Sequence, residues 1–182
     1  MARVPYLEKS DLAEADQDLL NRPIALFKAL VNSPKAARAF SGVGGFIRYG
    51  SKLDARLREL AILQVGWLAR SPYERSHHVK IGHDFGVSDA DIQALIDDTA
   101  GKVTSLDVLS LTVLKAAREV TIDGAMAEAT FAALQAALGN EQVVDLTLTI
   151  AFYCAVVRVL ATLLIDVEPD YMAYLERWPL PD

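Results

Sequence analysis

From Leu60 to Ala69 the chain is apolar on nearly every side of a helical projection, interrupted only by Gln64 and Gly66, which predicts a central helix packed all round. Elsewhere the apolar positions keep to one face: Ile92, Leu95 and Ile96 recur at the 3 and 4 spacing of a short amphipathic helix. Its start is marked by Ser88 with Asp91 three residues on, a capping-box pattern. Ser33-Pro34 and Ser71-Pro72 each set a capping hydroxyl before a proline at the first helical position, where the missing N–H has no intrahelical partner to lose. No strand-like alternation rich in Val, Ile and Thr persists between turn signals, so the fold class is all-α.

This punctuation predicts helices over Arg22–Val31, Pro34–Phe46, Leu53–Arg70, Pro72–Phe85 and Ser88–Asp97. The second half reads as Leu106–Val120, Ala125–Leu138 after the Asp123-Gly124 turn, Glu141–Leu164 after Gly139-Asn140, and a short piece near Tyr171–Arg177. Pro179–Asp182 reads as a frayed tail. With 182 residues and no linker, low-complexity tract or internal repeat, the expectation is one compact domain of about eight helices spanning residues 1–182.

A formal charge of −6 argues against a phosphate-tracking surface, so nucleic acid is not an expected partner. The single cysteine, Cys154, cannot form an internal disulfide, and the N-terminus lacks a basic-then-apolar leader pattern; a reducing cytoplasm is the expected setting. The most apolar stretch, Val143–Ile165, is interrupted by Asp145 and Arg158, which leaves fewer uncharged residues than the ~18 of a membrane span. It is read as a buried helix, and no membrane partner is expected.

All three histidines, His77, His78 and His83, fall between Leu53 and Gly86. Glu59 enters the apolar helix as a carboxylate that must find a partner or take up a proton. Arg56 and Arg58 are near in sequence but point in other directions around the helix, and a carboxylate simply hydrogen-bonded near a helix start is the plainer reading. On the next helix Glu74 and His78 stand at i,i+4, about 40° apart, with His77 on the same half and His83 nearly opposite. Glu74 has a structural alternative as the reaching-back member of a Ser71–Glu74 capping box. For the paired histidines the plain expectation is one facing the core or an interface and one facing water.

A metal held by Glu74, His77 and His78 is disfavoured, because adjacent residues diverge by about 100° and no H-E-x-x-H pair is present. Ser76 lacks a G-x-S-x-G elbow, and Gly42, Gly44 and Gly45 follow no strand, so they read as a close-packing or hinge segment.

The run L-x-x-R-L-R-E-L-A-I-L from Leu53, followed by S-P-Y-E-x-x-x-H from Ser71 and F-G-V-S from Phe85, resembles the carboxymuconolactone decarboxylase family, whose superfamily includes the alkylhydroperoxidase D proteins. The likeness is most specific over residues 53–96 and extends through a D-L-x-x-x-I-A-F-Y-x-x-V-x-R helix from Asp145 and the D-x-E-P turn at Asp166. It implies an all-helical fold assembled as homotrimers or homohexamers, with the site in a pocket near the motif helices. The peroxidase branch carries E-x11-C-x2-C-x3-H; Glu59 and His78 match its glutamate and histidine, while Ser71 and Glu74 stand where its cysteines belong. The decarboxylase side carries Y-E-W-x-x-H, matched by Tyr73, Glu74 and His78, with Arg75 in place of tryptophan.

The resemblance, read with the chemistry of these residues, implies a cofactor-independent decarboxylase or related proton-transfer enzyme acting on a small carboxylated lactone or carbonyl-conjugated acid. In it His78 carries the proton, Glu59 orients or charges it, and Glu74 is a second acid or base. Arg58 and Arg75 are candidates to clamp a substrate carboxylate, with Tyr73 and His77 shaping the pocket; a surface or interface position is the plainer reading of each arginine. Two other classes stay open: a non-catalytic helical oligomer binding a small ligand, and an alkylhydroperoxidase-like antioxidant protein. The sharpest structural expectation is direct contact between Glu59 and His78 across the Ser71-Pro72 turn. The sign of the histidine's pKa shift is open, since burial and a carboxylate act in opposite senses.

Overall fold

The computed structural model describes residues 1–181; Asp182, the last residue of the expected tail, lies outside the described residues. Eight α-helices and no strands form the fold of the described residues: α1 (Ala25–Leu30), α2 (Pro34–Gly45), α3 (Ala55–Leu68), α4 (Pro72–Asp84), α5 (Asp89–Thr99), α6 (Val108–Ile122), α7 (Glu128–Leu163) and α8 (Met172–Arg177). Glu14–Leu20 adds a 3-10 stretch that the apolar pattern does not announce, and Phe46–Gly50 continues α2 as a π-helical turn.

The all-round apolar surface of α3 has its expected consequence. Every residue from Leu57 to Gly66 is buried, and the helix packs against α4, α6 and α7. On one side Ala61, Ile62 and Val65 join the main core with Val113, Leu146 and Ile150; on the other Leu60 and Leu63 meet Val79, Ile92 and Leu95.

Caps behave unevenly. The Ser88–Asp91 capping box is present in both directions. Ser71 accepts from the Glu74 N–H at 3.4 Å, but its own N–H donates to the Gly66 carbonyl at 3.0 Å, so the Glu74 carboxylate does not close a box. Ser33 begins α2 without any side-chain cap, the proline alone setting the start.

Gly139, at φ 74° and ψ 174°, breaks α7 where Gly139-Asn140 predicts a break between two helices. By length and composition α7 does reach that of a membrane span, with a mean hydropathy of 2.0, contrary to the count of uncharged residues alone. Half of that apolar window is buried inside the domain.

The turn from α3 to α4 positions the site. Arg70 takes a left-handed conformation (φ 49°) and donates to the Trp67 carbonyl at 3.1 Å, while Ser71 N–H reaches back to Gly66; together these bonds make a Schellman closure with arginine where glycine is usual. Gly66 then allows a close approach, since a Cβ there would come within 3.4 Å of Glu74 Cβ and Cγ. The exposed Arg70 side chain makes no hydrogen bond or ion pair among the described residues to offset its left-handed backbone. Arg70→Gly is expected to stabilise the fold by roughly 0.5–1 kcal/mol, read as a higher urea midpoint at unchanged slope. A lower midpoint would count against strain at this turn.

Candidate active site

Glu59 on α3 and His78 on α4 meet as the spacing predicts. Glu59 Oε2 lies 2.7 Å from His78 Nδ1, and both side chains are buried. The tight turn and the crossing of the two helices close the offset of about five residues that strictly parallel axes would leave.

The other oxygen of Glu59 is held by Arg58, whose Nε and Nη2 each stand 3.0 Å from Oε1. This corrects the expectation that Arg58 points away: its long side chain curls back along the helix, with the guanidinium over the Phe85 ring at 4.6 Å. Arg56 does leave, binding Asp91 and Ser110 instead.

On the far edge of the imidazole, Nε2 lies 3.0 Å from Glu74 Oε1. That approach is off the hydrogen-bond axis, and Oε1 has no well-aligned donor among the described residues. His78 therefore has one firmly bonded nitrogen and one loosely engaged. Burial is the largest single influence on it and opposes its charge. The Glu74 and Glu59 carboxylates and their hydrogen bonds outweigh burial and push its pKa up to about 9. For Glu59, burial likewise favours the neutral form, yet His78 and Arg58 hold its carboxyl below the usual range.

His77, next along, is also buried, against the expectation that one of the pair faces water. Its Nδ1 contacts the Tyr73 carbonyl at 2.9 Å, an atom that only accepts, so this nitrogen carries the proton. Its Nε2 faces Glu168 Oε2 at 3.1 Å, and its ring lies stacked between Tyr73 and Tyr171, at 3.9 and 3.6 Å between centroids. Glu168 also accepts from the Ala25 N–H and the Tyr73 hydroxyl. Burial pushes its carboxyl up, but the His77 imidazole, followed by the Ala25 N–H and its own backbone N–H, wins and holds it down at about 2. His83 stands apart on Asp89, as its position on the helix predicts.

Glu74, His77 and His78 share one wall of a cavity of about 310 Å³, completed by Tyr73 and Tyr153. The remaining walls are apolar, with Phe27, Phe40, Ile81, Phe152 and Val156, and the half-buried Arg22 and Arg48 also line it. Glu59 lies behind His78 and does not line it.

Arg58 and Arg75 do not line it either, which corrects their expected role as substrate clamps. Arg58 is spent on Glu59. Arg75 is wholly buried beneath the C-terminal segment, its Nε donating to the Trp178 carbonyl at 3.4 Å and its guanidinium 4.9 Å from the Trp67 ring centre. Burial lowers its pKa to about 10.

Sequence reasoning missed Tyr153, Arg22, Arg48 and Glu168. Tyr153 and Glu168 sit in the I-A-F-Y and D-x-E-P patterns already noted, which could have flagged them; nothing local marks the two arginines. Ser76 bonds the Tyr73 carbonyl, and Cys154 lies off the cavity, 3.5 Å from the Thr121 hydroxyl. No group of metal-ligating side chains fit to hold an ion occurs among the described residues.

Residues 34–101 match the model of the carboxymuconolactone decarboxylase family. The matched segment runs from α2 to α5. No curated protein matches it. Among solved structures it is similar to an alkylhydroperoxidase AhpD core, an uncharacterized peroxidase-related protein from Ralstonia eutropha, with a TM-score of 0.79, 18% identity, and coverage of 96% of this chain and 95% of that one. It is equally similar to a cysteine-to-alanine variant of the debrominase Bmp8 in complex with 2,3,4-tribromopyrrole, with a TM-score of 0.79, 19% identity and 97% of each chain covered. A peroxidase-related protein from Silicibacter sp. follows with a TM-score of 0.71, 18% identity, and 93% and 92% covered. At these identities the likeness establishes the fold.

The charged imidazole of His78 is favoured in the folded state, so its stabilisation is complete below pH 6.5 and is lost as pH climbs through about 9. Urea unfolding across this range is expected to show falling stability on the alkaline side, and Glu59→Gln should flatten that fall. A His78 ring that titrates in NMR at or below its ordinary value would contradict the assignment.

Proposed function

We propose that the chain is a cofactor-independent proton-transfer enzyme acting on a small carboxylated or carbonyl-conjugated molecule, with decarboxylation as its most specific form. The observation that carries this reading is His78 clamped between two carboxylates, with its loosely engaged Nε2 beside Glu74 on the wall of a cavity whose other walls are mostly apolar.

In the decarboxylation, the bond from carbon to the departing carboxylate breaks and its electron pair moves into the conjugated carbonyl. Carbon dioxide leaves, and the carbon takes a proton from His78 Nε2. Glu59 stays ionised throughout and fixes the ring through Nδ1, while Glu74 passes a replacement proton from solvent to Nε2. The Tyr153 hydroxyl is kept protonated by burial and the nearby carboxylates, and its ring meets His78 edge-on at 5.0 Å. It is a donor for the developing oxyanion. Apolar walls favour the step, because charge spreads from a compact carboxylate to a delocalised system. Isomerisation or lactone opening would use the same parts.

Thiol chemistry has little support: Cys154 is the chain's single cysteine, and Ser71 and Glu74 replace the thiols that the peroxidase pattern requires. Self-association as a homotrimer or homohexamer belongs to the same reading, with the exposed Val144 and Leu148 of α7 as contact residues. Sedimentation equilibrium should then give a multiple of 19.8 kDa, and a monomer mass would exclude it.

Turnover is to be sought against lactone acids and β-keto acids. Glu59→Gln and His78→Ala should each lose about a hundredfold or more while remaining folded, with the double variant little worse than either. Cys154→Ser should be silent. Full turnover in His78→Ala would sink the relay.

A further inference from the structure

We infer that Arg48, together with Arg22, is the anion-recognition element of the cavity, and that the ligand is a planar apolar molecule carrying a carboxylate that survives the reaction. This rests on reading the cavity as the substrate site and adds what determines its specificity.

Arg38, Arg56, Arg58, Arg118 and Arg177 each hold a carboxylate of this chain. Arg22 and Arg48 do not: among the described residues neither guanidinium has a hydrogen-bond or ion-pair partner, although both are half-buried in the cavity lining. Two partly desolvated guanidinium forks without acceptors are an incomplete arrangement that a carboxylate completes bidentately.

The surrounding charges do not supply the missing anion. Glu59 and Glu74 are balanced by Arg58 and His78, and the single carboxylate of Glu168 does not offset both Arg22 and Arg48, so the cavity stays positive in a chain of net charge −6. The charge of Arg48 acts on the Tyr153 hydroxyl, which places it in electrostatic reach of the reacting end.

Arg48 is also tied to that end through the backbone. Its carbonyl accepts from Arg58 Nη1 at 3.3 Å, and the same Arg58 guanidinium orients Glu59 against His78. It sits in the π-helical turn that ends α2, a kind of irregularity often found at functional sites. Phe27, Phe40 and Phe152 offer flat apolar contact to the body of the ligand, and about 310 Å³ limits it to a small molecule.

Chemistry decides which carboxylate the arginines hold. A carboxylate about to leave as carbon dioxide loses its charge in the transition state, so an arginine fork on it would stabilise the ground state and slow the reaction. The anion on Arg48 is therefore one retained in the product, and a simple aromatic acid with nothing to lose is an adequate probe.

Titration calorimetry on the full chain at neutral pH, with benzoate and the isosteric benzamide as probes, tests this. Benzoate should bind at least about tenfold more tightly than benzamide. Arg48→Met should erase that preference without weakening benzamide, Arg22→Met should reduce it, and Arg48→Lys should keep part of it. Arg48→Met should leave the His78 ring titrating above its ordinary value in NMR, so loss of the relay and loss of anion recognition read out separately. Benzoate binding no better than benzamide, undetectable benzoate binding at millimolar concentration, or unchanged preference in both methionine variants would overturn the inference. If Arg48→Met fails to fold by circular dichroism, Arg48→Lys and salt dependence decide: benzoate affinity falling with added salt supports the assignment, and salt-independent affinity refutes it.

Discussion

Four ionisable groups, Arg58, Glu59, His78 and Glu74, are removed from water at the centre of this fold, and the rest of the site depends on their being satisfied together. A lone carboxylate on a helix as apolar as α3 would have to take up a proton or find a partner. Glu59 finds partners on both sides: Arg58 from its own helix and His78 from the next. The condition is met only if α4 returns against α3 at one register, which the left-handed Arg70 and the close approach at Gly66 provide. Chemistry and packing are thus the same constraint, since a slip of the turn that separated Glu59 from His78 would strand a buried charge.

The two histidines divide the labour of α4. His78 faces Glu59 and Glu74, and its charge is set by them. His77 faces Glu168, and the stacking of Tyr171 on its ring fastens the C-terminal segment across α4. Arg75, two residues earlier on α4, adds to that fastening by donating to the Trp178 carbonyl. Residues that look interchangeable in sequence therefore serve the buried Glu59–His78–Glu74 cluster on one side and the closure of the domain on the other. The cavity lies where these functions meet, with α1 and α2 forming the walls that α4 and α7 leave open.

Much of this was legible in the sequence. The Ser71-Pro72, Ser88–Asp91 and Gly139-Asn140 signals set helix boundaries, because capping and backbone freedom are local physics. The contact of Glu59 with His78 followed from spacing on two helices joined by a short turn, and the displacement of His83 from helical angle alone. The capping role of Ser33 failed because proline already secures that helix start, and the closed box at Ser71 failed because Glu74 is turned toward His78.

Tertiary structure decided what depends on residues far along the chain or on the path of a long flexible side chain. Arg58 lies beside Glu59 in sequence, yet only the space left by Phe85 and the Arg48 carbonyl sends its guanidinium back to the carboxylate. Glu168 reaches His77 from the other end of the chain, and Arg75, read as a candidate substrate clamp, is covered by a C-terminal segment that no local pattern brings there. Arg22 and Arg48 carry no motif at all; they become a pair only when α1, α2 and the π-helical turn fold over the cavity. Backbone propensity and helical angle act within a few residues and are written in the sequence, whereas which charges share a desolvated space is fixed only when distant segments close around it.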